Sequence, residues 1–102
     1  MLKVILYVGL NDKISKVQEI PTDEAMKIVH SIIAEYADGA TIYNALGVYK
    51  HHDGSVVSES SIRIECIEPD TDRLMEAVKL LKIRLNQESI AWENQQVDSV
   101  LV

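Results

Sequence analysis

The sequence has no phenylalanine, one cysteine, two prolines and four glycines in 102 residues. A lone cysteine cannot close a disulfide within the chain. Because Cys66 alternates with Ile62 and Ile64, it is predicted to be an inert core residue of a strand. The glycines are dispersed, so neither a phosphate-binding loop nor a dinucleotide fingerprint can be identified. The sequence therefore predicts no cofactor.

Basic residues are also few, since ten Lys and Arg against sixteen Asp and Glu give a net charge of −6. The cations are scattered, whereas binding to a nucleic-acid polymer or to an anionic membrane surface depends on clustered cations. The apolar run from Val4 to Val8 is far shorter than the roughly 20 residues of a membrane span. We therefore expect a cytoplasmic protein with neither nucleic-acid polymers nor membranes among its partners.

Length and composition are those of one ordinary domain. The apolar fraction is 47% and the charged fraction 25%, which is typical of a soluble globular chain. No repeat, linker or low-complexity segment interrupts it. We expect residues 1–102 to form a single domain.

Hydrophobic periodicity predicts six elements. Alternation with period two predicts strands over residues 2–10, 40–50 and 55–67, and a fourth strand in the tail 88–102 with a bulge or loop near 93–96. Apolar stripes of helical spacing predict one helix from an N-cap at Thr22 to about residue 37, ended by a left-handed Gly39. They predict a second helix capped by Asp70 or Thr71, with Asn86 as its C-cap.

The order strand, helix, strand, strand, helix, strand is typical of the ferredoxin-like α+β sandwich. In that architecture a four-stranded antiparallel sheet carries both helices on one face, and strands one and three are central. On the second strand, one side carries Ile42, Leu46 and Val48, and the other carries Tyr43, Ala45 and Tyr49.

The opposite face of the sheet should remain uncovered. It is predicted to carry an apolar and partly aromatic patch made of Ile5, Tyr7, Tyr43, Ala45 and Tyr49, joined by Val57. The suspected bulge leaves both faces of the sheet open for Trp92. Monomers seldom leave such a patch in water, so a homo-oligomer is expected, with a dimer as first choice. The alternative is that loop 11–20 or the C-terminal tail covers this face.

The segment His51-His52-Asp53-Gly54 has two interpretations, a metal site or a hairpin turn. Adjacent strand residues point to opposite faces, and no nearby Cys or His completes a ligand set, so no metal site is expected. Asp53-Gly54 between two alternating strands predicts a type I′ turn. His30 is interpreted as a boundary residue of the first helix.

The chain resembles domain-of-unknown-function family 3574 nearly from end to end, and four short segments carry the resemblance. They are ILYVG at 5–9, DG at 38–39, GVYKHHDGSVVSESS at 47–61 and NQESI at 86–90. The resemblance implies a small ferredoxin-like protein without a known reaction, and its matching positions are Tyr7, Gly9, Gly47, Tyr49, Asp53, Gly54, Glu59, Ser61, Gln87, Glu88 and Ser89. Tyr49 departs from the family, in which many members have Trp, and this chain also lacks the Phe that precedes the QES element in many members.

Polar residues on the third strand and before the fourth either cap turns and pair edges, or line a polar pocket beside the aromatic face. The candidate ligand-binding or interface residues are Tyr7, Tyr43, Tyr49, Glu59, Ser61, Gln87, Ser89 and Trp92. No catalytic motif is found, so the leading hypothesis is a non-enzymatic domain that self-assembles through its sheet and binds a small molecule or partner protein. The alternatives are a ferredoxin-like enzyme using His30, His52 or Glu59 as acid or base, and a phage-type protein that sequesters a host nucleotide signal or blocks a host protein.

Overall fold

A computed structural model describes all residues, 1–102. Its elements follow in the order β1 (Leu2–Gly9), α1 (Thr22–Tyr36), β2 (Thr41–Lys50), β3 (Val56–Ile67), α2 (Thr71–Arg84) and β4 (Ala91–Gln96). The strands form one antiparallel sheet in the order β2-β3-β1-β4. The predicted ferredoxin-like fold is confirmed, with β1 and β3 in the centre.

The core lies between one face of the sheet and the helices. Val4, Leu6 and Val8 alternate along β1, and they pack with Ile62, Ile64 and Cys66 of β3 and with the apolar stripes of both helices. Cys66 is fully buried, as predicted. Burial raises the pKa of the Cys66 thiol, because the thiolate loses its solvation in an apolar environment.

The starts of the two helices differ from each other. Asp70 caps α2 as predicted, since its Oδ1 accepts hydrogen bonds from the backbone N–H groups of Asp72 at 3.1 Å and Arg73 at 3.2 Å. The prediction of Thr22 as the N-cap of α1 is wrong. Pro21 takes that position without a side-chain cap, and the hydroxyl of Thr22 accepts a hydrogen bond from Gln18 Nε2 instead.

The helix ends also differ. After α2, Asn86 adopts a left-handed φ of 49°, and the backbone N–H of Gln87 donates to the carbonyl of Lys82 at 2.9 Å, a Schellman closure. After α1, the left-handed Gly39 was a wrong prediction. Ala37 has a φ of −133°, so the chain runs extended out of the helix towards β2.

The β2–β3 hairpin extends past the helices, and the molecule is 47 Å long but only 26 and 22 Å across. Leu46 and Val48 share the helix-facing side with Ile42, yet they are 67% and 63% exposed because no helix reaches them. The predicted type I′ turn is wrong. Among the turn residues only Gly54 has a positive φ, and the N–H of Gly54 donates to the carbonyl of His51, which indicates a three-residue loop.

The last strand is shorter than predicted. β4 ends at Gln96, and the backbone N–H of Val97 donates to the carbonyl of Met1 at 2.9 Å. Residues 97–102 form no strand, so the expected bulge at 93–96 is replaced by the end of the element. None of the helices combines the length and the hydropathy needed to cross a membrane.

Candidate functional site

A cleft of about 600 Å³ opens at one end of the sheet, where β1 ends and the β2–β3 hairpin begins to extend beyond the helices. Three segments that are distant in sequence meet there: the loop after β1, the outer part of the β2–β3 hairpin and the turn between α2 and β4. Its lining residues are Gly9, Asn11, Asp12, Lys13, Lys16, Tyr49, His51, Val57, Glu59, Gln87, Glu88 and Ser89.

The carboxylate of Glu59 is fixed at the end of β1. Its Oε2 accepts a hydrogen bond of 2.8 Å from the backbone N–H of Asn11. A methyl group in place of a Gly9 hydrogen would lie 2.7 Å from Oε2 and 2.8 Å from Oε1, so the carboxylate occupies space that only glycine leaves free. Because Oε1 has no partner within the chain, Glu59 presents an acceptor to the cleft.

The loop from Asn11 to Gln18 is folded around Asp12. One carboxylate oxygen, Oδ2, accepts from the N–H groups of Ile14 at 2.9 Å and Ser15 at 3.2 Å, and Oδ1 accepts from Asn86 Nδ2 at 2.6 Å. These bonds, with that to Asn86 first, lower the pKa of Asp12 below its ordinary value of 3.8. Two backbone bonds close the loop, from the N–H of Lys16 to the Asp12 carbonyl and from the N–H of Asp12 to the Val17 carbonyl.

The same loop is attached to the α2–β4 turn. Gln87 is 8% exposed, and its Nε2 donates to the carbonyls of Asn11 at 2.7 Å and Leu85 at 3.2 Å. The N–H of Lys13 donates to the carbonyl of Asn86 at 3.1 Å. The two segments therefore form one connected wall, which favours a pre-formed site.

An aromatic pair borders the cleft on the hairpin side. The rings of Tyr49 and His51 meet edge to face, with centroids 5.5 Å apart and planes at 84°. Tyr49 is still 47% exposed, so part of its ring is free to contact a ligand. His51 begins the turn, which Asp53 closes by accepting from the N–H and the hydroxyl of Ser55. These bonds lower the pKa of Asp53, the one to the Ser55 hydroxyl most.

Half of the eight candidate residues from the sequence come together in this cleft, namely Tyr49, Glu59, Gln87 and Ser89. Ser61 lies outside it, paired between Gly9 and Ala45 on the uncovered sheet face. Trp92 pairs with Leu6 and packs against the core, so it lies on the helix-facing side of the sheet, a choice that the sequence left open.

The uncovered face carries a charged network where an apolar patch was predicted. Arg63 lies between Tyr7 and Tyr43, with its guanidinium carbon 5.9 and 5.5 Å from their ring centroids. Glu65 pairs with Arg63 at 2.8 Å and with Lys3 at 3.3 Å. Ile5, expected in the exposed patch, is fully buried, because the long side chains around it cover it.

Sequence reasoning missed most of the loop side of the cleft. Asn11, Asp12, Lys13 and Lys16 lie in a segment without periodicity, and only a fold that brings it to the α2–β4 turn makes them neighbours of Gln87. His30 is exposed on α1 beside Ile42, away from the cleft. His52 is exposed in the hairpin turn and does not line the cleft either.

Several solved structures share this fold. A phage SAM lyase in complex with S-methyl-5′-thioadenosine is 23% identical, with a TM-score of 0.66 over 93% of this chain and 80% of that chain. The periplasmic divalent cation tolerance protein CutA from Archaeoglobus fulgidus is 10% identical, with a TM-score of 0.59 over 97% and 87% of the two chains. A DUF3240 family protein from Shewanella baltica is 8% identical, with a TM-score of 0.55 over 99% and 97%.

At these identities the likeness shows the ferredoxin-like fold and nothing more specific. No model of a protein family and no curated protein matches the chain. The resemblance to domain-of-unknown-function family 3574 stays a prediction, and so do the single-domain organisation and the cytoplasmic location.

Proposed function

We propose that the cleft binds S-adenosylmethionine and that the chain acts on it as a lyase, releasing S-methyl-5′-thioadenosine. One observation carries this proposal. The Glu59 carboxylate, fixed against Gly9, faces a cleft in a fold that the chain shares over 93% of its length with a phage SAM lyase that holds S-methyl-5′-thioadenosine.

The cleft suits an adenine nucleoside in size and in chemistry. Its volume of about 600 Å³ falls within the range of small-molecule sites. Glu59 Oε1 is a free acceptor, and a carboxylate commonly binds the hydroxyl groups of a ribose. The exposed part of the Tyr49 ring offers an aromatic surface for the adenine base.

The reaction requires little from the protein. The bond between the sulfonium sulfur and the γ-carbon of the amino-acid chain breaks, and its electron pair stays on sulfur, which becomes a neutral thioether. The substrate's own carboxylate can take the vacant position on the γ-carbon, so neither water nor a protein base is consumed. Positioning the substrate is then the main contribution of the cleft. This explains how a chain without a catalytic motif can be an enzyme.

The leading hypothesis from the sequence, a non-enzymatic domain that binds a small molecule, would use the same cleft. It differs from this proposal only in that the bound molecule is not converted. A phage-type sequestering protein would likewise hold the nucleoside without breaking it. The enzyme alternative expected from the sequence requires an acid or base that faces a cavity, and Glu59 lines the cleft.

Calorimetric titration of S-methyl-5′-thioadenosine into the chain and its Glu59→Gln variant tests the site. Glutamine keeps the acceptor for the Asn11 N–H but loses the charge, so we expect an affinity about ten- to a hundredfold lower, corresponding to a charged hydrogen bond of roughly 1.5–3 kcal/mol. Glu93→Gln, on the uncovered sheet face, is the matched control and should bind like the unmodified chain. Equal affinities for the chain and both variants would place the ligand elsewhere, and an absence of heat from the unmodified chain would refute binding.

We also propose that the chain self-associates through the uncovered sheet face. Arg63 Nε is buried without a hydrogen-bond partner, and Tyr7 and Tyr43 beside it keep 38% and 42% of their surface exposed. A second copy would cover both rings. Light scattering should report an oligomer for the chain and a monomer for Tyr43→Glu, and a monomer for both would refute this assembly.

A further inference from the structure

We infer that Lys13 and Lys16 bind the carboxylate of the substrate's amino-acid group, so that the loop from Asn11 to Gln18 selects nucleosides that carry an amino acid. This inference rests on the proposed function and extends it. It assigns a role to the one part of the cleft that Glu59 and Tyr49 do not explain.

Both lysines line the cleft, and neither forms a salt bridge within the chain. The cations on the uncovered face, Lys3 and Arg63, are both paired with Glu65. The cleft lysines are therefore available to an anionic group of a ligand.

The loop holds these lysines in a defined geometry. Lys16 has a left-handed φ of 66°, which is uncommon for a residue with a side chain and persists only where the surroundings hold it. Hydrogen bonds connect Lys16 N–H to the Asp12 carbonyl at 2.9 Å and Lys13 N–H to the Asn86 carbonyl at 3.1 Å. The backbone under both cations is thus attached, through Asp12 and Asn86, to the turn between α2 and β4.

The charges of the cleft match an amino-acid zwitterion. The lysines supply positive charge for a carboxylate, and Glu88 on the facing turn supplies negative charge for an ammonium group. A nucleotide phosphate would meet the carboxylates of Glu59 and Glu88 as well as the lysines. A nucleoside that carries both signs of charge fits this arrangement better than one that is purely anionic.

The test compares three stable thioethers by calorimetry: S-adenosylhomocysteine, its decarboxylated analogue, and S-methyl-5′-thioadenosine. They share the nucleoside, and only the first carries the carboxylate. We expect the unmodified chain to bind S-adenosylhomocysteine at least tenfold more tightly than the decarboxylated analogue. In the double variant Lys13→Gln/Lys16→Gln this preference should fall to about twofold or less, while the affinity for S-methyl-5′-thioadenosine stays within about twofold.

The matched control, Lys27→Gln/Lys79→Gln, removes the same charge from the exposed helix surfaces and should keep the preference. A preference that survives in the Lys13→Gln/Lys16→Gln variant would overturn the inference. So would an equal loss of affinity for all three ligands in that variant, because this would indicate collapse of the cleft. If the unmodified chain binds S-methyl-5′-thioadenosine but shows no preference for the carboxylate, the inference fails and the proposed function stands. If it binds none of the three, both fail.

Discussion

The carboxylate of Glu59 lies directly against the backbone of Gly9, where a Cβ would be 2.7 Å from Oε2. Two central strands are involved, since Glu59 belongs to β3 and Gly9 ends β1. The missing side chain of Gly9 therefore leaves the space for the acceptor that faces the cleft.

Replacing Gly9 with alanine should displace this carboxylate and break its hydrogen bond to the Asn11 N–H. The atoms that the new methyl group would meet are the carboxylate of Glu59, at the end of a flexible side chain, so we expect the free energy of unfolding to fall by only about 1 kcal/mol. The affinity for S-methyl-5′-thioadenosine should drop tenfold or more. Urea denaturation and calorimetry measure the two effects. Gly39→Ala is the control, because nothing lies within 4 Å of its added Cβ and both quantities should stay unchanged. Unaltered binding by the Gly9 variant would disprove the role given to Glu59.

Asp12 should make the stability of the chain depend on pH in the acidic range. Its pKa in the folded chain is below the ordinary 3.8, because Asn86 and two backbone N–H groups bond to the ionised form. A depressed folded pKa stabilises the folded state above the unfolded pKa, and this contribution is lost as the pH falls through the folded value. The free energy of unfolding of Asp12→Asn should therefore lie below that of the unmodified chain at neutral pH and approach it as the pH falls below about 4.

Asp53→Asn, in the hairpin turn, is the control for the effect of Asp12→Asn on ligand binding. Its carboxyl also has a lowered pKa, from bonds to Ser55, so the same convergence is expected at low pH. Only Asp12→Asn should weaken ligand binding at neutral pH, because Asp12 organises the loop that lines the cleft. A constant difference in stability across the pH range would contradict the assigned hydrogen bonds.

The charged network on the uncovered face should stabilise the domain. The side chain of Glu65 is 14% exposed and pairs with both Lys3 and Arg63, so Glu65→Gln should cost about 1–3 kcal/mol in urea denaturation. The exposed pair of Glu76 and Lys79 gives the comparison, and Glu76→Gln should cost less than about 0.5 kcal/mol. Equal costs would show that the network contributes no more than a surface pair.

The thiol of Cys66 should be unreactive in the folded chain. It is fully buried, and burial raises its pKa, so both access and the thiolate fraction are low. A thiol reagent such as dithionitrobenzoate should label it only on addition of denaturant. Rapid labelling of the native chain would indicate that β3 opens readily near its C-terminal end.

The fold could be predicted from the sequence because each element repeats its apolar residues at one period. Val4, Leu6 and Val8 along β1 and the stripes of the helices determine which faces are buried, and the order of elements leaves few topologies. The errors lie at the ends of helix α1, where the backbone geometry depends on the neighbouring residues. Thr22 does not cap α1 because Pro21 already occupies that position, and Gly39 needs no positive φ because the chain leaves the helix extended.

The candidate site was predictable only in part. Glu59 and Gln87 were found as positions matching the family resemblance, on the third strand and before the fourth. Lys13 and Lys16 lie in an aperiodic loop whose place depends on contacts with residues more than seventy positions away. Strand parity placed Tyr7 and Tyr43 on the open face. It did not show that Arg63 lies between the two rings, since that depends on the pairing of three strands.

The most direct test of the central claim is to incubate the purified chain with S-adenosylmethionine and follow S-methyl-5′-thioadenosine by mass spectrometry. We predict that the unmodified chain and Glu93→Gln form this product at similar rates, while Glu59→Gln forms it at least tenfold more slowly. Product formation no faster than in buffer alone, despite calorimetric binding of the nucleoside, would contradict the lyase assignment and leave a binding protein.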